Sequence, residues 1–446
     1  MKRFVCLILL MSLLLAACED QTMPTPTSEI ETATPMPTDT TTSATESAFP
    51  TTAVTETTPP IARPFPQHTQ YAPNSILPNH RTREQLDNDV RAFYDYWKAA
   101  YLVEAAVNEN GLPMYRVAFG KDGEAHERTV SEGQGYGMVI VPIMAAYDPD
   151  AQTIFDGLWE FVRAHPSESD SRLMDWNVPD PQGNSSAFDG DADIAFGLLL
   201  ADAQWGSDGR INYKAEAEQL IAGIFESTIG PESHLPLLGD WINPNGAPHN
   251  QYTPRSSDFV LVNFRAFAKA ANDPVWNDVI LQSQTVMQEI QNNYSVETGL
   301  LPDFIVREEQ QYQPARPNFL ENTTDGAYYY NAGRIPWRVG LDALLHDDPI
   351  SRAIVQKLSH WIQAETGGTP ANIRAGYELN GTPLPNSSYF TTFFAAPFAI
   401  AAMNDPAQQE WLNALYDAVH NRHENYYEDS VNLLCLLVMT GNFWVP

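Results

Sequence analysis

The sequence predicts an all-α protein in which six inner helices are ringed by six outer ones. Three observations lead there. Apolar residues recur with helical period in twelve segments between residues 83 and 440, the pattern of helices that each bury one face. The segments alternate in kind. The second, fourth, eighth and twelfth are nearly apolar over long stretches (Met138 to Ala146, Ile194 to Ala201, Ile335 to Leu345, Val431 to Met439), whereas the fifth carries Lys214, Glu216 and Glu218. A helix without a polar face is buried on every side and one with a polar face meets water, so the alternation reads as two concentric layers. Strand signals are few, and the absence of a fixed-period repeat argues against a solenoid.

The elements follow in chain order. Residues 1–18 open with Lys2 and Arg3, run apolar from Phe4 to Leu15 and end Leu15-Ala16-Ala17-Cys18. The basic start and short apolar run describe a secretory signal. The ending resembles the bacterial lipobox, which implies cleavage before Cys18 and a diacylglycerol on its thiol. Residues 19–62, with runs such as Thr40-Thr41-Thr42-Ser43 and Thr57-Thr58-Pro59-Pro60, cannot bury a core and are expected to form a mobile tether. From about 75 to 446 the composition is globular. Thr82 and Gln85 form a capping box that opens the first helix, 83–103. The best strand, Met114 to Phe119, stops at Gly120. Helices are then expected over 133–147, 152–165, 191–204, 213–228, 256–272, 275–293, 332–345, 350–364, 388–403, 406–420 and 427–440. Several stop at Gly, Pro or Asn-Asp, as in Asn404-Asp405-Pro406.

The chain has 446 residues, with 25 Lys+Arg against 56 Asp+Glu and a net charge of −31. Phosphate binding needs clustered basic groups, so nucleic acid is not an expected partner. A cationic polymer would be drawn to such a surface and a neutral one would be indifferent. Cys6 lies in the signal segment and Cys18 in the lipobox, which leaves Cys435 alone within Leu433 to Leu437, where it reads as a small buried apolar residue. No disulfide framework is available to the mature chain.

The distinctive polar residues gather at the starts of the apolar helices. Glu132 stands in Ser131-Glu-Gly-Gln-Gly-Tyr-Gly137, ahead of Met138-Val-Ile-Val141. Asp189-Gly-Asp-Ala-Asp193, Arg255-Ser-Ser-Asp258 and Asn331-Ala-Gly-Arg-Ile-Pro-Trp-Arg338 open three more. If the inner helices run parallel, these groups meet at one end of the barrel. A cleft with two carboxyls and aromatic faces suits a sugar polymer: acid and base for the glycosidic bond, rings for stacking on pyranoses. Tyr136, Trp176, Trp241, Tyr328 and Trp337 are the candidate platforms. A carboxyl in partly apolar surroundings keeps its proton near neutral pH, as a general acid must, which makes Glu132 the candidate acid. Asp189-x-Asp191-x-Asp193 has the spacing of half a calcium loop, but the sixth position is Ile194 and the twelfth Leu200, where that loop needs Gly and Glu. No zinc-type His pair, nucleophile elbow or phosphate-cradling loop occurs in the sequence, so neither metal nor cofactor is expected.

Ser131-Glu-Gly-Gln-Gly-Tyr-Gly-Met138 and Ala187-Phe-Asp-Gly-Asp-Ala-Asp-Ile-Ala195 resemble the two signature segments of glycoside hydrolase family 8. Leu198-Leu-Leu-Ala201 with Gln204-Trp-Gly206, and Tyr426-Tyr-Glu-Asp-Ser430, fit the same pattern. The resemblance, over about residues 75–446, implies an (α/α)6 barrel and inverting endo-hydrolysis of β-1,4-linked polysaccharides. It assigns the acid to Glu132 and the sugar-holding carboxylate to Asp189. Many members carry a base Asp where this chain has Asn331, and an amide cannot accept the proton. A subfamily with that Asn takes its base from a Glu in the preceding loop, here Asn318-Phe-Leu-Glu321, with Asp325 and Glu308 as weaker candidates. Asp258, Asn331 and Arg334 are expected to join the aromatics in binding substrate.

The expected protein is therefore an inverting endo-β-1,4-glycanase, acting as a monomer and held by lipid on the outer or periplasmic face of a bacterial membrane. Its expected substrate is chitosan first and β-1,4 or mixed-linkage glucan second. The non-enzymatic alternative is a surface lipoprotein that binds oligosaccharides.

Overall fold

The computed structural model describes residues 61–179 and 184–446. The signal segment, Cys18 and residues 19–60 of the expected tether lie outside the described residues. Each of the twelve expected helices is present, within a few residues at its ends. The outer helices are α1 (Arg83–Tyr101), α4 (Ala151–Ala164), α6 (Tyr213–Thr228), α8 (Val275–Asn293), α10 (Pro349–Glu365) and α12 (Gln409–Val419). The inner ones are α3 (Ser131–Ile143), α5 (Phe188–Trp205), α7 (Leu261–Ala271), α9 (Ile335–His346), α11 (Thr392–Ala402) and α13 (Tyr426–Met439). One short helix, α2 (Gly123–Glu127), was not anticipated.

Each inner helix packs on the next, and α13 returns to α3, which closes the ring. Each outer helix leans on an inner neighbour, as α1 does on α13 and α4 on α3. The burial patterns follow the sequence. Every residue of α11 is buried, while α1 starts from the Thr82–Gln85 capping box and buries the stripe Leu86, Val90, Phe93, Trp97, the spacing of an amphipathic helix.

The expected strand is β2 (Pro113–Val117), paired antiparallel with β1 (Leu102–Val107) in the register Leu102↔Val117. Two more ribbons frame the site: β3 (Thr129–Val130) with β4 (Asn177–Val178), and the hairpin β5 (Ile305–Glu308) to β6 (Gln311–Pro314). The hairpin turns through Glu309 and Gln310, both left-handed at φ 47° and 68°. That is the conformation for which Asn-Gly is the usual signal, and Glu-Gln carries no such cue.

The packed body reaches back before residue 75. Phe65 is buried, and residues 62–76 run as a strap across the C-terminal ends of the inner helices. Backbone N–H groups of Ala62, Phe65, Thr69, Ala72 and Ile76 donate to carbonyls of Gln204, Ala145, Gly441, Leu344 and Met403. These acceptors lie at or just past the ends of α5, α3, α13, α9 and α11, where helix carbonyls lack internal partners. The strap therefore seals one end of the barrel and leaves the other open.

Candidate active site

The open end is formed by the N-terminal turns of the inner helices. Close packing there depends on glycines. A Cβ on Gly133 would meet the Tyr426 hydroxyl at 2.5 Å, and one on Gly135 would meet Asp193 Cβ at 2.8 Å. The two glycines let α3 approach α13 and α5, which sets Glu132 beside the groups those helices carry.

Residues spaced four apart on three inner helices build two stacked layers, as expected of side chains one turn apart on one face. The upper layer is Glu132, Asp189 and Arg334. Arg334 Nη1 donates to a carboxylate oxygen of Glu132 at 2.8 Å and of Asp189 at 2.7 Å. Its Nη2 donates to Ser257 Oγ at 2.8 Å and to Asn331 Oδ1 at 3.1 Å. The lower layer is Tyr136, Asp193 and Arg338. There Arg338 grips Asp193 with both amino groups, at 2.9 and 2.5 Å, and lies over the Trp337 ring at 4.0 Å. Asn263 Nδ2 donates a further hydrogen bond to Asp193 at 2.9 Å.

The three aspartates of the Asp189 motif thus have three separate partners. Asp189 faces Arg334 and Arg255 in the floor. Asp191 accepts from the backbone of Met174 at 2.9 Å, and burial keeps its carboxyl protonated well above the usual range. Asp193 belongs to the lower layer.

Asn331 Nδ2 donates to Glu321 Oε2 at 3.0 Å and approaches Asp303 Oδ2 at 3.4 Å. Glu132 and Glu321 therefore hang from the two ends of one network, through Arg334 and Asn331. The loop carrying Glu321 is fastened by Asp325, which accepts backbone N–H groups of Leu320, Glu321 and Asn322 at 2.7, 3.0 and 2.9 Å. Asp325 is spent on that turn, and Glu308 is exposed at the tip of the β5–β6 hairpin. Neither weaker base candidate lies in the network.

The electrostatics separate the carboxyls. Burial pushes Glu132 up to about 7, with Arg334 opposing and Asp189 adding to the rise; solvent still reaches 19% of its side chain. Burial also raises Glu321, against Arg255 and the Asn331 hydrogen bond. Asp189 is fully desolvated, yet Arg255 and Arg334 outweigh that and hold it well below the usual carboxylate range. Two titratable groups pushed up and one held down in one cleft mark a functional site.

Several residues expected to meet substrate are buried. Tyr328 is wholly buried against Phe394 and Phe398, and Trp337 is core, edge-on to Tyr136. Tyr136 is itself buried, with its hydroxyl 3.5 Å from Arg334. Asp258 is 0% exposed and grips Arg255. Arg334 and Asn331 are buried and occupied with carboxylates. The two exposed platforms are Trp176 and Trp241, at 36% and 43%. Trp176 precedes β4, and its carbonyl accepts the N–H of Ser131, next to Glu132. Trp241 stands edge-on to His249, which stands edge-on to Phe319 of the Glu321 loop.

Three groups of the site had no role assigned from sequence. Arg255 lies 2.9 Å from both Asp189 and Asp258. Tyr426, within a motif quoted for resemblance alone, donates to Glu132 Oε1 at 3.4 Å. Asp303 accepts from the backbone of Tyr329 and Ala332 at 3.0 and 2.7 Å, and burial pushes it up to about 8. A charged residue in the apolar run Leu300-Leu-Pro-Asp-Phe-Ile305 was the available signal.

The family model for glycosyl hydrolases family 8 matches residues 86–441. A beta-glucanase of Niallia circulans is 42% identical over 389 residues, 86% of this chain and 91% of that one. An endoglucanase of Bacillus sp. (strain KSM-330) is 38% identical, covering 86% of this chain and 82% of its own. Among solved structures, the apo beta-1,3-1,4-glucanase from Paenibacillus sp. X4 superposes with a TM-score of 0.81 at 40% identity, over 87% of this chain and all of that one. A xylanase from Teredinibacter turnerae shares the fold at TM-score 0.67 and 19% identity, over 82% of this chain and 96% of its own.

Proposed function

Because the chain belongs to glycosyl hydrolase family 8 and is a glycoside hydrolase, we propose that it cleaves internal β-1,4 bonds of a β-glucan, mixed-linkage β-1,3-1,4-glucan first, with inversion. The observation that carries the mechanism is the shared network of Glu132 and Glu321. Glu132 keeps its proton near neutral pH and delivers it to the leaving oxygen. Glu321 accepts from Asn331, which favours its charged form, and it takes a proton from the attacking water. Asp189, held ionised by two guanidiniums, accepts hydroxyl groups of the sugar at the cleavage point. An inverting pair needs room for a water between base and sugar, and a guanidinium and an amide link the two glutamates. Trp176 and Trp241 offer rings to flanking sugars.

Glucan stands ahead of chitosan for two reasons. The relatives at 38–42% identity are named for glucanase activity. Asp189 and Asp258 in the floor are already matched by Arg255 and Arg334, so they have no spare charge for a glucosamine ammonium. Release of reducing ends from lichenan, carboxymethylcellulose, chitosan and xylan, assayed side by side, tests the order; faster cleavage of chitosan than of lichenan would reverse it. The lipobox supports lipid attachment at Cys18 and residence on a membrane face after secretion.

A further inference from the structure

Asp258 has no access to substrate, and its contacts give it another task. It sits at the end of a row of alternating charges in the cleft floor. Asp258 Oδ1 lies 2.9 Å from Arg255 Nη2, which lies 2.9 Å from Asp189 Oδ1. Asp189 Oδ2 is 2.7 Å from Arg334 Nη1, which is 2.8 Å from Glu132 Oε2. Ahead of Glu132 the row holds two carboxylates and two guanidiniums, so it is neutral. None of the other groups facing Glu132 supplies an unmatched positive charge. Arg338 is cancelled by Asp193, and Tyr136, Tyr426 and Tyr427 are held neutral far above working pH. Glu321, a carboxyl that faces Arg255 and Arg334, supplies none either. Ionising Glu132 would therefore place an unmatched charge in a buried floor, which is costly.

We propose that Asp258 is a charge-balancing residue: by neutralising Arg255 it denies Glu132 a compensating positive charge and so keeps the acid protonated. The row explains why a carboxylate with no route to the sugar stands wholly buried in the cleft floor. The Oδ2 atom of Asp258 has no hydrogen-bond partner among the described residues, so Arg255 is what holds its charge. Burial brings Asp258 itself to about 6, with Arg255 opposing and Asp189 adding to the rise. Asp258 therefore gives up its proton before Glu132 as pH rises.

The inference rests on Glu132 being the acid, and the first step tests that separately: Glu132→Gln must lose turnover on lichenan. The second step follows kcat against pH and reads the alkaline limb, where the acid loses its proton. Asp258→Asn keeps shape and leaves the floor one charge positive, so the limb should move to lower pH by about one unit, the low end of the effect of an adjacent charge. Arg255→Gln leaves the floor one charge negative and should move the limb upward. The double variant is neutral again and should return the limb to its native position. General damage to the cleft lowers kcat but does not shift the limb in opposite directions. An unmoved limb in Asp258→Asn, or the same direction in both single variants, overturns the proposal. If Asp258→Asn does not fold, Arg255→Gln decides alone: an upward limb supports the proposal and an unmoved one overturns it.

Discussion

Replacing Glu132 by Gln should make the protein more stable while it stops turnover, and the gain should depend on pH. The ordinary glutamate value is 4.5, and burial raises it to about 7 in the fold. A carboxyl that binds its proton more tightly when folded gives stability that is fully present below 4.5 and is lost as pH rises to about 7. At about 1.4 kcal/mol per tenfold change in proton affinity, the loss is about 3 kcal/mol. Gln carries no proton to lose, keeps the shape and leaves Arg334 paired with Asp189. The variant and the native protein should therefore unfold alike at pH 4. By pH 8 the variant should be ahead by about 3 kcal/mol, or somewhat less because its amide is a weaker partner for Arg334. Urea denaturation at pH 4, 6 and 8 measures the difference, in which Asp258 and Asp303 titrate in both proteins and cancel. A gap that stays flat with pH, or a variant less stable at pH 8, would refute the reasoning that the fold holds this carboxyl protonated.

Glu321→Gln should lower kcat by about 10²–10⁴-fold, the usual worth of a general base, with the fold intact by circular dichroism. If it stays near native activity while Asp325→Asn is inactive, the base is misassigned. NMR in the first minutes of hydrolysis should show α product from β-linked substrate; β product would mean retention. Trp241→Ala should raise KM several-fold and leave the melting temperature unchanged, whereas Trp337→Ala should cost about 3–5 kcal/mol of stability as a core cavity; the opposite pairing would return Trp337 to the cleft. Cys18→Ser should release the protein from the membrane fraction, and unchanged association would remove the lipobox reading.

The helices were legible because their signals are local. Thr82 and Gln85 cap α1 as their spacing predicts, and the apolar runs of α5, α9 and α13 are buried where continuous hydrophobicity says they must be. The meeting of Glu132, Asp189 and Arg334 was legible too, since each stands at the start of an inner helix. Depth along the barrel was not. Tyr136, Asp193 and Arg338 each stand one turn after an upper-layer residue, on the same helical face, and Trp337 sits beside them. Periodicity gives the face of a side chain but not its level, so Trp337 read as cleft when it is floor. Partnership across long separations was equally invisible. Arg255 and Asp303 join groups tens of residues away, and only Asp325, four residues from Glu321, could have been read as a loop fastener from its own neighbourhood.

The strap at the barrel base also decides where anything can be attached. The described chain enters the body at Ile61 and crosses the C-terminal ends of the inner helices, while the cleft opens at their N-terminal ends. Entry point and mouth are thus at opposite poles of one ring. A surface, a bead or a second protein joined directly at Ile61 is joined on the side away from the cleft. A long glucan can then lie across the mouth without meeting that attachment, so immobilised protein should keep its action on polymer and not only on short oligosaccharides.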